Sequence, residues 1–155
     1  MPLILDDASL KISTDGTVAG LNELRCVTSH LELAPDTAIT TVTTFCGSTD
    51  YPGVTKWALL ATLVQSFDPD ATEDTLSAAL AFGGPVPFEI VPYSSKPVGQ
   101  DNPSWSGMVV PRPYPPVNGD AGAASTVELD WSLIGYPTKS VTPGSLLSTA
   151  TKASK

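Results

Sequence analysis

Residues Phe45–Phe67 read FCGSTDYPGVTKWALLATLVQSF, and this stretch decides the fold. Its first third is polar and punctuated by Gly47, Pro52 and Gly53, the composition of a loop. From Thr55 onward the pattern alternates. Trp57, Leu59, Ala61, Leu63 and Phe67 share one face, and Lys56, Thr62 and Ser66 lie opposite. Thr55–Phe67 therefore reads as a half-buried strand, about twice the usual five or six residues. Convergent polar side chains, the mark of a catalytic pocket, do not surround it. The pattern suits a building block that packs against copies of itself.

Working upstream, residues 34–54 form a 21-residue segment without helical periodicity. It holds a β-branched run, Ile39–Thr44, ahead of the glycines and proline. Connections this long are seldom idle in a compact domain, so an interface-forming loop is expected. Before it, Glu23–Leu33 places Leu24, Cys26, Val27, Leu31 and Leu33 on mixed parity, which a bulge near Val27–Thr28 would reconcile. Residues 3–14 carry short apolar pieces and end at the Asp15-Gly16 turn signal.

Downstream, Asp70 with Glu73 has capping-box spacing, and Leu76, Ala79 and Leu80 form a helical stripe closed by Gly83-Gly84-Pro85. Such a short helix must dock on a sheet to persist. Val86–Tyr93 alternates but contains Pro87 and Pro92, which imply an edge position or irregular ends. Trp105–Pro111 is a further strand, followed by a Pro/Gly/Asn loop over 113–124. Ser125–Gly135 alternates cleanly, with Val127, Leu129, Trp131 and Leu133 against Thr126, Glu128, Asp130 and Ser132. The expected architecture is mainly β: two packed antiparallel sheets, a sandwich or open barrel, with one flanking α-helix. Residues 1–138 make the β domain, and 139–155 a polar C-terminal arm or tail.

The 155 residues carry 16 carboxylates against 8 Lys and Arg, for a net charge of −8. Five bases face sixteen acids in residues 1–138, so the body carries −11. Such a surface repels phosphate backbones, which argues against specific nucleic-acid binding but permits nucleic acid to pass along it. No basic leader precedes Asp6-Asp7, so no targeting peptide is expected. The longest apolar run, Trp57–Val64, falls far short of the ~20 residues that span a bilayer. Cys26 and Cys46 read as free thiols of a reducing compartment, with pairing the lesser alternative.

Chemistry finds little support. His30 is the only histidine, so any triad would have to be built around it, and an ordinary strand histidine is the simpler reading. Two cysteines and one histidine lack zinc-ligand spacing. Asp68–Asp74 (DPDATED) lacks the glycine and closing glutamate of a calcium loop. Gly83-Gly84 follows a helix instead of opening one, so it cradles no phosphate. Glu128 and Asp130 share a strand face as glycosidase carboxylates can, but without pocket aromatics they read as a solvent-facing stripe. No catalytic residue, metal ligand or cofactor is assigned.

Three segments together carry a family resemblance: VTTFCGSTDYPGVTKWALLATLVQSFD (residues 42–68), TEDTLSAALAFGG (72–84) and STVELDWSLIGYPT (125–138). Their order resembles the major tail tube proteins of long-tailed bacteriophages, especially those of actinobacteria, over Glu23–Thr138. The resemblance implies hexameric rings whose inner strands join across subunits into a barrel. Long loops and terminal arms would then stack the rings into a hollow tube for the genome. It also implies a virion location in the tail, assembly in the host cytoplasm, and tape-measure, terminator and baseplate or tail-tip partners. DNA would pass through without specific binding.

Within that expectation, Glu128 and Asp130 are candidate lumen-facing acids, chosen by shared parity. Phe45 and Tyr51 are candidate inter-subunit contacts, because aromatics on a Gly/Pro loop are common interface anchors, with local packing as the equal alternative. Rival readings are a tail terminator or connector subunit, a β-sandwich surface-binding module, and a hydrolase using the two carboxylates.

Overall fold

A computed structural model of the chain describes residues 2–142. Seven strands and one helix follow in the order β1 (Ser9–Ser13), β2 (Leu21–Glu23), β3 (Thr28–Thr44), β4 (Gly47–Val64), α1 (Thr72–Phe82), β5 (Val86–Val91), β6 (Ser104–Val109) and β7 (Thr126–Ser140). All sheet pairings are antiparallel, in the order β2-β1-β5-β6-β7-β4-β3. The mainly β class with one flanking helix holds. The two expected sheets are joined into one, because β7 belongs to both leaves. Its first half, Thr126–Ser132, pairs with β4, and from Leu133 onward it pairs with β6.

The core lies between the leaves and follows strand parity. Leu59, Ala61 and Leu63 of β4 meet Val127, Leu129 and Trp131 of β7, with Leu10 and Ile12 of β1 and Val86, Phe88 and Ile90 of β5 across from them. Leu76 and Ala79 place one stripe of α1 in the same cluster. Phe67 does not join them. β4 ends at Val64 and Phe67 is 71% exposed, since the chain turns toward the helix three residues before it.

The helix start also differs from expectation. Ala71 is the cap residue, and Asp70 sits in the left-handed region at φ 60°. Its N–H donates to Asp74 Oδ2 at 2.9 Å, while the Thr72 hydroxyl donates to the Val64 carbonyl at 2.6 Å. Asp74 therefore does the reaching back expected of Glu73. Glu73 instead accepts from Gln65 Nε2 (3.1 Å) and the Tyr114 hydroxyl (3.0 Å), clipping the 110–125 loop to the helix. Burial and this bond push the Tyr114 hydroxyl well above the usual phenol range. The helix ends at Gly83 in the left-handed conformation, as its sequence predicts.

β5 is interior, so of the two readings its prolines allow, irregular ends apply and an edge position does not. It lies between β1 and β6, and Pro87 falls just past its last pair with β1, Ile12–Phe88, where a missing N–H costs the ladder little.

The largest departure concerns residues 34–54. They are strand, forming the distal part of one long β3–β4 hairpin closed by the two-residue turn Phe45-Cys46. Hydroxyl contacts tie the two strands: Thr37–Thr55 at 2.7 Å, Thr41–Asp50 at 2.6 Å and Thr43–Ser48 at 3.0 Å. A register shift between Thr37 and Ile39 bends the hairpin midway. Gly53 is required there, because a Cβ would lie 2.9 Å from the Ala38 carbonyl oxygen.

Asp7 anchors the N-terminal segment. Its carboxylate accepts from the Ser94 hydroxyl (2.8 Å), the Ser95 N–H (3.0 Å) and Arg25 (3.1 Å). The hydrogen bonds from Ser95 and Ser94, helped by Arg25, lower its pKa from 3.8 to about 2. A depressed carboxylate stabilises the fold above its unfolded-state pKa and loses that contribution as pH falls through its folded value. Asp7→Asn should therefore lower the melting temperature at neutral pH, with the gap to wild type closing between about pH 4 and pH 2. Thermal unfolding across that range checks this, and a gap that persists at pH 2 would contradict it.

Candidate functional site

Two surfaces stand out, both built by the β3–β4–β7 leaf. The first is the face turned away from the core. Leu31 and Leu33 of β3 face inward, so His30, Glu32, Ala34 and Asp36 face outward. Register then brings residues from three strands together. His30, Thr62 and Glu128 form one row, and Glu32, Leu60 and Asp130 the next. Asp36 pairs with Lys56 further along. Glu32, Asp36, Glu128 and Asp130 thus share a face on which Lys56 is the one fixed cation among these rows.

Glu128 and Asp130 are exposed on this face, as their parity predicts. Glu32 and His30 join them, 3.7 Å apart between Oε2 and Nε2. Strand reading of β7 alone could not find that pair, because it becomes adjacent only through the β3–β4 register. Among the described residues no group of three or more His, Cys, Asp or Glu is arranged to hold a metal ion. No described helix is long and apolar enough to cross a membrane. Cys26 and Cys46 are both free and exposed.

The second surface is the hairpin arm. Every residue from 35 to 54 is exposed, so among the described residues neither face of the arm is covered by the body. Ile39, Val42, Phe45, Tyr51 and Val54 present apolar side chains there, and Phe45 at the tip is wholly exposed. Phe45 sits in the turn of the hairpin, and Tyr51 stands opposite Thr40 within it. Isolated two-stranded hairpins are marginal in water. An arm of this length with apolar groups on both strands is a surface awaiting a partner.

Backbone edges are also open. β3 is the last strand of its leaf, so its outer edge has no partner strand among the described residues. Past Ser132, β4 and β7 part company, which leaves the Leu133–Ser140 side facing away from β6 without a partner strand among the described residues. Ile134 and Tyr136 on that segment are exposed. Two open edges on one molecule are a template for pairing with other chains.

No protein-family model matches this sequence, and no curated protein matches it by sequence. Its fold does have solved counterparts. A chain in the sheath–tube complex of PVC, an extracellular contractile injection system, in the extended state superposes with a TM-score of 0.56. Identity is 11%, over 91% of this chain and 93% of that one. A chain in the sheath/tube terminator of PVC, also in the extended state, gives 0.54 at 12% identity, over 90% and 96% of the two chains. Coverage is near-complete in both directions, so the likeness in fold extends over most of both chains.

Proposed function

We propose that this chain is a structural subunit of a tail-type tube, and that copies join edge to edge into rings that stack through the arm. The observation that carries this reading is the arm itself: residues 35–54 form regular, hydrogen-bonded structure with no packing partner outside the hairpin among the described residues. Folding such an element serves a protein only when another molecule covers it. The fold likeness to chains of a sheath–tube complex and a sheath/tube terminator supports the same reading.

In the assembled state the open β3 edge of one copy pairs with the open β7 edge of its neighbour, closing a hexameric ring without free edges. The acidic face then lines the bore. A negative wall repels phosphates, so DNA slides past without being held. Tape-measure, terminator and baseplate or tail-tip proteins complete the tail, which is built in the host cytoplasm and carried on the virion. Negative-stain microscopy of the purified chain at increasing concentration tests this. Rings or hollow tubes are expected, and persistent monomers would contradict it.

The role of the bore has its own test. Glu128→Lys with Asp130→Lys reverses two exposed charges per copy without touching the core. Tubes of normal length should form, and genome delivery by virions carrying them should slow at least about tenfold, more at low salt. Unchanged delivery would remove these two residues from the bore. The terminator reading has the same fold support, but a terminator caps a tube and does not polymerise when purified, so the microscopy separates the two.

A further inference from the structure

At the root of the arm the two leaves diverge and leave an apolar groove of about 280 Å³. Leu31, Leu33 and Trp57 line it from one leaf and Ile90 and Trp105 from the other, with Leu5 and Glu32 also in the lining. One group there is unfinished. The Nε1–H of Trp57 is buried and meets no acceptor among the described residues. Buried donors are nearly always satisfied in finished structures, so an acceptor arriving from outside would complete this one.

The same chain carries a matching knob. Phe45 is wholly exposed at the arm tip, and the backbone carbonyls of the turn around it are acceptors. It cannot fill its own groove. Trp57 lies twelve positions further along the chain, roughly 40 Å at ~3.3 Å per residue. A knob and a hole held apart on one rigid element make a heterologous contact, which repeats head to tail. The arm's twenty exposed residues also match the side of a stable interface, about 20–30 residues.

We propose that the Phe45 tip of one copy seats in the Leu5–Leu31–Leu33–Trp57–Ile90–Trp105 groove of the next copy along the axis. The arm length then sets an axial repeat of about 40 Å. This rests on the tube reading and adds to it the receptor for the arm and the direction of stacking.

Native Cys46 beside the tip supplies the test. In full-length Cys26→Ser protein, Leu5→Cys places a second thiol in the lining of the groove. Leu5 is already half exposed, so the fold tolerates the change. Mild oxidation of assembled tubes should give a ladder of dimers, trimers and longer covalent chains on a non-reducing gel. Ser77→Cys, on the exposed side of α1, should give none. Tubes without a ladder would overturn the groove assignment and leave the tube reading standing, whereas failure to form any tube would overturn both. A dimer band alone, the signature of a mutual swap, would overturn head-to-tail seating. A ladder seen only after deletion of residues 143–155 would give the groove to that segment instead.

Discussion

Excising Ala38–Val54 and joining Thr37 to Thr55 through Asn-Gly leaves a folded monomer that no longer assembles. Thr37 and Thr55 are already opposite one another, with their hydroxyls 2.7 Å apart, so a two-residue turn closes the shortened hairpin in register. Nothing in the core is lost, because every removed residue is exposed. The melting temperature should therefore stay within a few degrees of the parent, as expected for a change of under about 1 kcal/mol. Assembly should fail outright. Phe45→Ala alone, removing one central anchor worth about 2 kcal/mol or more, should raise the concentration needed for tubes at least about thirtyfold. Sedimentation velocity across a concentration series reads both effects. Normal tubes from the shortened chain would separate the arm from stacking altogether.

Trp131→Ala should have the largest effect on the fold itself. Trp131 is 1% exposed, stands opposite Leu59 of β4, and continues the Val127 and Leu129 row of β7. It is also the last residue but one before β7 leaves β4 for β6, so its side chain fills the corner where the leaves join. Truncating a buried tryptophan costs about 3–5 kcal/mol, a large share of the 5–15 kcal/mol that holds a domain together. The urea midpoint should fall sharply, and the variant should be largely unfolded near its parent's melting temperature. Trp57→Ala, at a half-buried position on the groove, should cost clearly less. A loss below about 1 kcal/mol at Trp131 would mean that the corner is not the centre of the core.

The parts of this fold that show in the sequence are those where one face is wet and the other dry. β7 over 126–133, β4 over 57–63 and the body of α1 each carry a period that burial imposes, and each is found where that period puts it. The arm carries no such period. Among the described residues neither face packs on the body, so no core imposes alternation on Ile39–Thr44 and Ser48–Val54. Its turn, Phe45-Cys46, lacks an Asn-Gly or Asp-Gly signal, and Pro52 argues against a strand. A loop reading followed from the same residues that form the most projecting element of the molecule.

The acidic face was half legible for a related reason. Glu128 and Asp130 share a strand, so parity finds them. Glu32 and His30 come beside them only through the pairing of three strands, with a register shift between Thr28 and His30 beside the bulge expected near Val27–Thr28. Asp70 misled in the opposite sense. Its spacing fits a capping box, yet the chain uses it in a left-handed bend and delegates the bond to Asp74.

A cryo-electron microscopy reconstruction of the assembled particle bears most directly on the whole account. It should show a hollow tube in which the outer edge of β3 hydrogen-bonds to Leu133–Ser140 of the adjacent copy, with Glu32, Glu128 and Asp130 toward the bore. A particle in which those two edges stay unpaired between copies, or in which the carboxylates face outward, would contradict it.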